Sequence, residues 1–118
     1  MIFLASVIVI FVDFFYLNLM TPFYSKLVLD VQKSPMTFDI LSAFLCYITL
    51  IFGLYYFILK DRKPVLDAFI LGLVIYGVFE FTNKAIFRNW SWASVVIDTL
   101  WGGTLFGITT YLVYKIKG

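Results

Sequence analysis

Apolar positions fall into four long runs separated by three polar breaks. The first run, residues 2–20, carries Asp13 as its one charge, and at 1.5 Å per residue it is long enough to cross a hydrocarbon core of about 30 Å. From Thr21 to Asp39 the pattern is interrupted by Pro22, Lys26, Asp30, Gln32, Lys33 and Pro35. Phe23, Leu27, Asp30 and Val31 recur there at helical spacing, which predicts a short interfacial helix that Pro35 ends. The second run, 40–59, has no charged side chain and stops at Lys60, Asp61, Arg62, Lys63 and Pro64. The third starts at Val65 and spans about 65–84, with an end that falls anywhere from Phe81 to Phe87. Arg88, Asn89, Trp90, Ser91 and Trp92 then form a turn whose two indoles suit the membrane interface. The fourth, 93–114, is closed by Lys115 and Lys117.

These spans are too long for barrel strands, and backbone polar groups at membrane depth must be paired within helices. The expected fold is an all-α integral membrane protein, a compact four-transmembrane-helix bundle forming a single membrane domain over residues 1–118, with three spans plus an interfacial helix as the alternative. Composition agrees. Of 118 residues 63% are apolar and 14% charged, against about 45–50% and about 25% in soluble domains. A soluble globule is excluded. One cysteine, Cys46, allows no intrachain disulfide, and the lack of histidine leaves no familiar zinc ligand set, so neither metal nor cofactor is expected. A net charge of +2 is too weak for a nucleic-acid surface. The first run lacks the basic flank and small-residue cleavage site of a signal peptide, so it is expected to stay in the chain. The Asn89, Trp90, Ser91 sequon lies too close to the bilayer to expect a glycan.

Four spans put both termini on one side. That side holds Lys60, Arg62, Lys63, Lys115 and Lys117, while the other holds Lys26, Lys33, Lys84 and Arg88. The slight excess favours cytoplasmic termini, more so if Lys84 lies within the membrane.

Ionisable groups at membrane depth ask for an explanation, because each costs at least a few kcal/mol there. Asp13 lies about 16 Å from the boundary on the termini side, Glu80 about 22 Å from it, and Asp98 about 7 Å from the opposite boundary. A common polar interior is therefore expected for the three acids, with Lys84 the nearest counter-charge. Tyr76, Glu80 and Asn83 form one stripe on the third helix, and Asp98 shares a face with Trp101. With three acids and one base the cluster need not be fully ionised. On the fourth helix Thr99, Gly103 and Gly107 form a low ridge suited to close helix packing, whereas Gly72, Gly77 and Gly53 are expected only to tolerate contact.

The run YGVFEFTNKAIFRNWSWASVVIDTLWGG, together with Asp13 and Tyr16 in VDFFYL, resembles an uncharacterised integral-membrane family, domain of unknown function 2177. Tyr76, Thr82, Asn83, Ala85, Trp90, Asp98, Trp101 and Gly102 fit that family's pattern. Glu80 stands where it usually has Asp, Phe79 where Tyr is frequent, Tyr16 where Trp is usual, and Lys60 in a region that often has Pro. The resemblance implies a membrane fold and carries no reaction, substrate or cofactor.

The expected role is that of a small integral membrane subunit with a structural or assembly function in a larger complex, in contact with membrane lipids and with other membrane proteins or further copies of itself. The alternative is proton-coupled or cation transport through the polar site. Enzyme chemistry is disfavoured, because the paired acids lack a nucleophile.

Overall fold

In a computed structural model that describes all 118 residues, the chain forms four helices: α1 (Ile2–Gln32), α2 (Ile40–Leu54), α3 (Val65–Ile86) and α4 (Trp92–Lys117). A single π turn, Tyr55–Leu59, continues α2 to the charged turn. Each of the four helical stretches is long and apolar enough to cross a membrane, so the chain is an all-α, multi-pass membrane protein built as a four-helix bundle. The apolar pattern predicts a first helix that stops near residue 20. Instead α1 runs on through Pro22 for 31 residues.

Packing beyond the proline keeps α1 helical there. Pro22 brings no N–H to the Asn18 carbonyl one turn back, and the neighbouring side chains bond other carbonyls: Thr21 Oγ1 donates to that of Leu17 at 2.5 Å and Asn18 Nδ2 to that of Phe14 at 2.9 Å. Beyond it, Phe23, Tyr24, Leu27 and Val31 pack on Trp90 and Val95, and Asn89 Nδ2 donates to the Asp30 carbonyl at 3.0 Å. Tertiary contact with the α3–α4 turn thus holds the segment that sequence pattern assigns to an interfacial piece. Lys33 ends α1 in the left-handed conformation, φ 61°, two residues before Pro35.

Asp39 caps α2 by accepting from the Leu41 and Ser42 amides and from the Ser42 hydroxyl. At the other end the π turn closes with Lys60 N–H donating to the Tyr55 carbonyl at 2.8 Å. It leaves the adjacent Ile58 and Leu59 both buried. Tyr114 near the end of α4 donates to the Lys63 carbonyl at 2.6 Å and lies under the Arg62 guanidinium, tying the α2–α3 turn to the end of α4. Ser91 caps α4 by accepting from the Ser94 amide at 3.1 Å.

The closest helix pair is α3 with α4. A β-carbon on Gly72 would lie 2.1 Å from the Gly102 carbonyl oxygen, and one on Gly102 would lie 2.2 Å from Tyr76 Cγ. Gly72, expected only to tolerate contact, is thus the point where the two backbones meet. Along the same interface Gly103 faces Leu73 and Phe69, Gly107 faces Phe69 and Val65, and the Thr99 methyl approaches Gly77. Nothing lies near Gly53. Helix α1 packs on α4 and on α2; Ala5 and Val9 join Leu54, Leu59, Leu105, Phe106 and Val113 in the apolar core toward the termini.

Candidate functional site

The half of the bundle away from the termini is polar inside, and its three acids are all buried: Asp13, Glu80 and Asp98. They are met by neutral donors. Asp13 on α1 accepts from the Tyr47 hydroxyl of α2 and, at 2.9 Å, from Trp101 Nε1 of α4. Glu80 on α3 accepts at Oε1 from Trp90 Nε1 and from the Ser94 hydroxyl, each at 2.9 Å. Asp98 on α4 accepts from the Tyr16 hydroxyl of α1 at 3.2 Å. Tyr16 is also 3.1 Å from the Tyr24 hydroxyl; with its own proton committed to Asp98, Tyr24 is the donor in that pair. Tyr16 stacks on Trp101, so the Asp98 and Asp13 ends of the network share a wall.

Glu80 and Asp98 line one cavity. Oε2 of Glu80 is buried and meets no donor among the protein's fixed groups. A basic side chain would be the simple remedy, but Lys84 lies over the Trp92 ring, 5.3 Å from its centroid. Asn83 is half-buried and supplies its backbone carbonyl to the end of α3 rather than a donor to Glu80. Of the stripe read from sequence, Glu80 enters the hydrogen-bonded network while Lys84 and Asn83 stay outside it. Tyr76 packs over Gly102 and lines a cavity with Asp98. Trp101 reaches Asp13, not the Asp98 beside it on α4.

Five members of the network lie outside the sequence-derived site: Tyr16, Tyr24, Tyr47, Trp90 and Ser94. Trp90 reads in sequence as an interfacial anchor, yet its indole N–H points inward to Glu80. The signal for it was the short turn itself, which brings residues just beyond it back to the depth of Glu80 in an antiparallel pair. Tyr47 leaves no such local trace, because its approach to Asp13 depends on how α2 docks.

Two cavities adjoin the pair. One of about 420 Å³ lies between α1, the α1–α2 connection and α3, with Glu80, Asp98 and Trp90 in its wall. A smaller one of about 230 Å³ lies between α2 and α3 and shares Phe79 and Asp98 with the first. No His, Cys, Asp or Glu group converges in a way that would hold a metal ion. What the arrangement offers chemically is a carboxyl oxygen of Glu80 without a donor, in a residue that lines a cavity with Asp98.

No curated protein and no solved structure matches the chain. A family model described as predicted membrane protein (DUF2177) matches residues 1–115, nearly the whole length, and the chain belongs to that family of membrane proteins.

Proposed function

We propose that the chain is a small, noncatalytic subunit that takes part in assembling a larger membrane complex. The distribution of polar groups carries this reading. Inward, the acids are met by indole and hydroxyl donors drawn from α1, α2, α4 and the α3–α4 turn, which suits a rigid interior and supplies no nucleophile or base pair for turnover. Outward, the helices present large apolar side chains, among them Phe3, Phe11, Phe44, Phe52 and Trp92, and little chain lies outside the helices to meet a soluble partner. Both termini and the Lys60 to Pro64 turn face the cytoplasm in this reading, as the excess of positive charge on that side favours.

Gentle solubilisation of the native membrane followed by measurement of particle mass tests the proposal. A particle heavier than the isolated chain, with defined companions or further copies, is expected; a monomer at every expression level with nothing copurifying would overturn it.

A second reading, proton-coupled or cation transport, is favoured by one observation: the unpartnered Oε2 of Glu80 beside Asp98, next to a cavity. Reconstituted protein would then pass protons or another cation under an imposed gradient, and Asp98→Asn would lower the flux without unfolding the bundle. Equal flux in empty and protein-containing vesicles across ions and pH would remove it.

A further inference from the structure

We propose that the larger cavity is a binding site for a lipophilic ammonium, a molecule with a protonated amine at one end and an alkyl body at the other. This goes beyond an assembly role and does not rest on it.

The first support is unmet charge chemistry. Glu80 is fully buried, its Oε2 has no donor, and it lies in the cavity wall together with Asp98. A carboxylate oxygen in that position is stabilised by an N–H donor that brings positive charge. The protein does not supply one, since Lys84 is engaged with Trp92. The second support is the wall around the carboxyls. Tyr16, Tyr24, Phe38, Phe79 and Trp90 all line the same space, and ring faces attract a desolvated ammonium. Acid and aromatic groups around one cavity make a site for an organic cation, whereas a bare metal ion would want more oxygen ligands than two carboxyls offer.

Size and polarity define the rest of the ligand. About 420 Å³ is within the range of small-molecule pockets, and Leu17, Val28 and Met36 give it apolar surface for an alkyl chain. A primary amine suits the site better than a quaternary one, because only N–H can satisfy Oε2. No basic side chain lines the cavity to meet a phosphate, which favours a free amine over a zwitterionic lipid headgroup carrying the same ammonium.

The test uses the full chain in uncharged maltoside micelles, titrated with dodecylammonium and followed by tryptophan fluorescence, with dodecanol and dodecyltrimethylammonium in parallel. Saturable binding of dodecylammonium is expected, at least tenfold tighter than either comparator. Glu80→Gln keeps the Oε1 acceptor and should weaken binding at least tenfold. Thr21→Phe, at the cavity wall but outside the carboxyl network, should weaken it comparably and covers the case in which the first variant fails to fold. Added phosphatidylethanolamine separates the sources: displacement of dodecylammonium assigns the site to the lipid headgroup, and no displacement to a free amine. Equal binding of dodecanol, or unchanged dodecylammonium binding in folded Thr21→Phe, would overturn the proposal.

Discussion

Tyr16 of α1 lies flat against Trp101 of α4, with ring centroids 4.4 Å apart and planes within 2°. Each ring uses its polar edge on a different acid: the Tyr16 hydroxyl donates to Asp98 and the Trp101 indole to Asp13. The stack therefore places side by side the donors of two buried carboxyls that do not bond one another. Trp101→Phe keeps an aromatic surface but removes the indole donor, leaving Asp13 with Tyr47 alone. A loss of about 2 kcal/mol is expected, the scale of a buried acceptor deprived of a partner. Equilibrium unfolding in mixed micelles would show it, and a double-mutant cycle with Tyr16→Phe would show whether the two ends are coupled.

Gly72→Ala should be among the most damaging small changes in the chain, because its β-carbon would fall 2.1 Å from the backbone of Gly102. Neither backbone can yield locally, so α3 and α4 are expected to separate along the crossing, at a cost of about 3 kcal/mol or more. Gly53→Ala is the control: nothing lies near that position, and helix propensity alone gives a gain of up to about 1 kcal/mol. Thermal unfolding of the two variants side by side checks the contrast.

Thr109→Val should stabilise the bundle. The Thr109 hydroxyl is fully buried and has no hydrogen-bond partner, and a methyl group of nearly the same shape removes that unmet demand. A gain of about 1 kcal/mol is expected, read as a higher unfolding midpoint with unchanged helix content.

The start of α2 should be acid-sensitive. Ser42, through its hydroxyl and its amide, and then Leu41 hold the exposed Asp39 carboxyl below the usual aspartate range. Because the folded value is depressed, the stabilisation is fully present above the unfolded value of about 3.9 and is lost as pH falls through the folded value. The first turn of α2 should therefore be unchanged from pH 7 to pH 5 and fray below about pH 4. Asp39→Asn retains an oxygen acceptor and should abolish that dependence. The amide resonances of Leu41 and Ser42 report both outcomes.

The orientation can be read by labelling single cysteines with an impermeant thiol reagent after Cys46 is replaced. Ser34→Cys is expected to react from the side opposite the cytoplasm and Lys117→Cys from the cytoplasmic side. The reverse pattern would invert the bundle.

Helix number and the second, third and fourth spans were legible in the sequence because lipid leaves a chain few alternatives: long apolar runs and abrupt charged turns mark them. The extension of α1 was not, since Pro22 and the mixed residues after it are locally ambiguous and only Trp90, Val95 and Asn89 across the bundle resolve them. The burial of Asp13, Glu80 and Asp98 follows from depth, and the presence of Glu80 and Asp98 in one cavity wall from the short turn between their helices. Which donors reach them does not follow, because a tyrosine or tryptophan near a boundary is equally at home facing lipid headgroups. The same holds for Lys84, whose spacing from Glu80 allows an ion pair but whose side chain lies over Trp92.

The length of α1 has a consequence for where such a protein resides. Its 31 residues extend about 46 Å, half as long again as a hydrocarbon core. A free helix of that length meets a thinner bilayer by leaning over. Here the overhang is held to the α3–α4 turn through Leu27 and the Asp30 carbonyl, so α1 cannot lean alone. Mismatch is met by tilting the whole bundle or by deforming the lipid around it, and fractions of a kcal/mol per ångström are enough to sort proteins between membranes. The docked end of α1 thus makes a mismatch in thickness a cost to the whole bundle rather than to one helix.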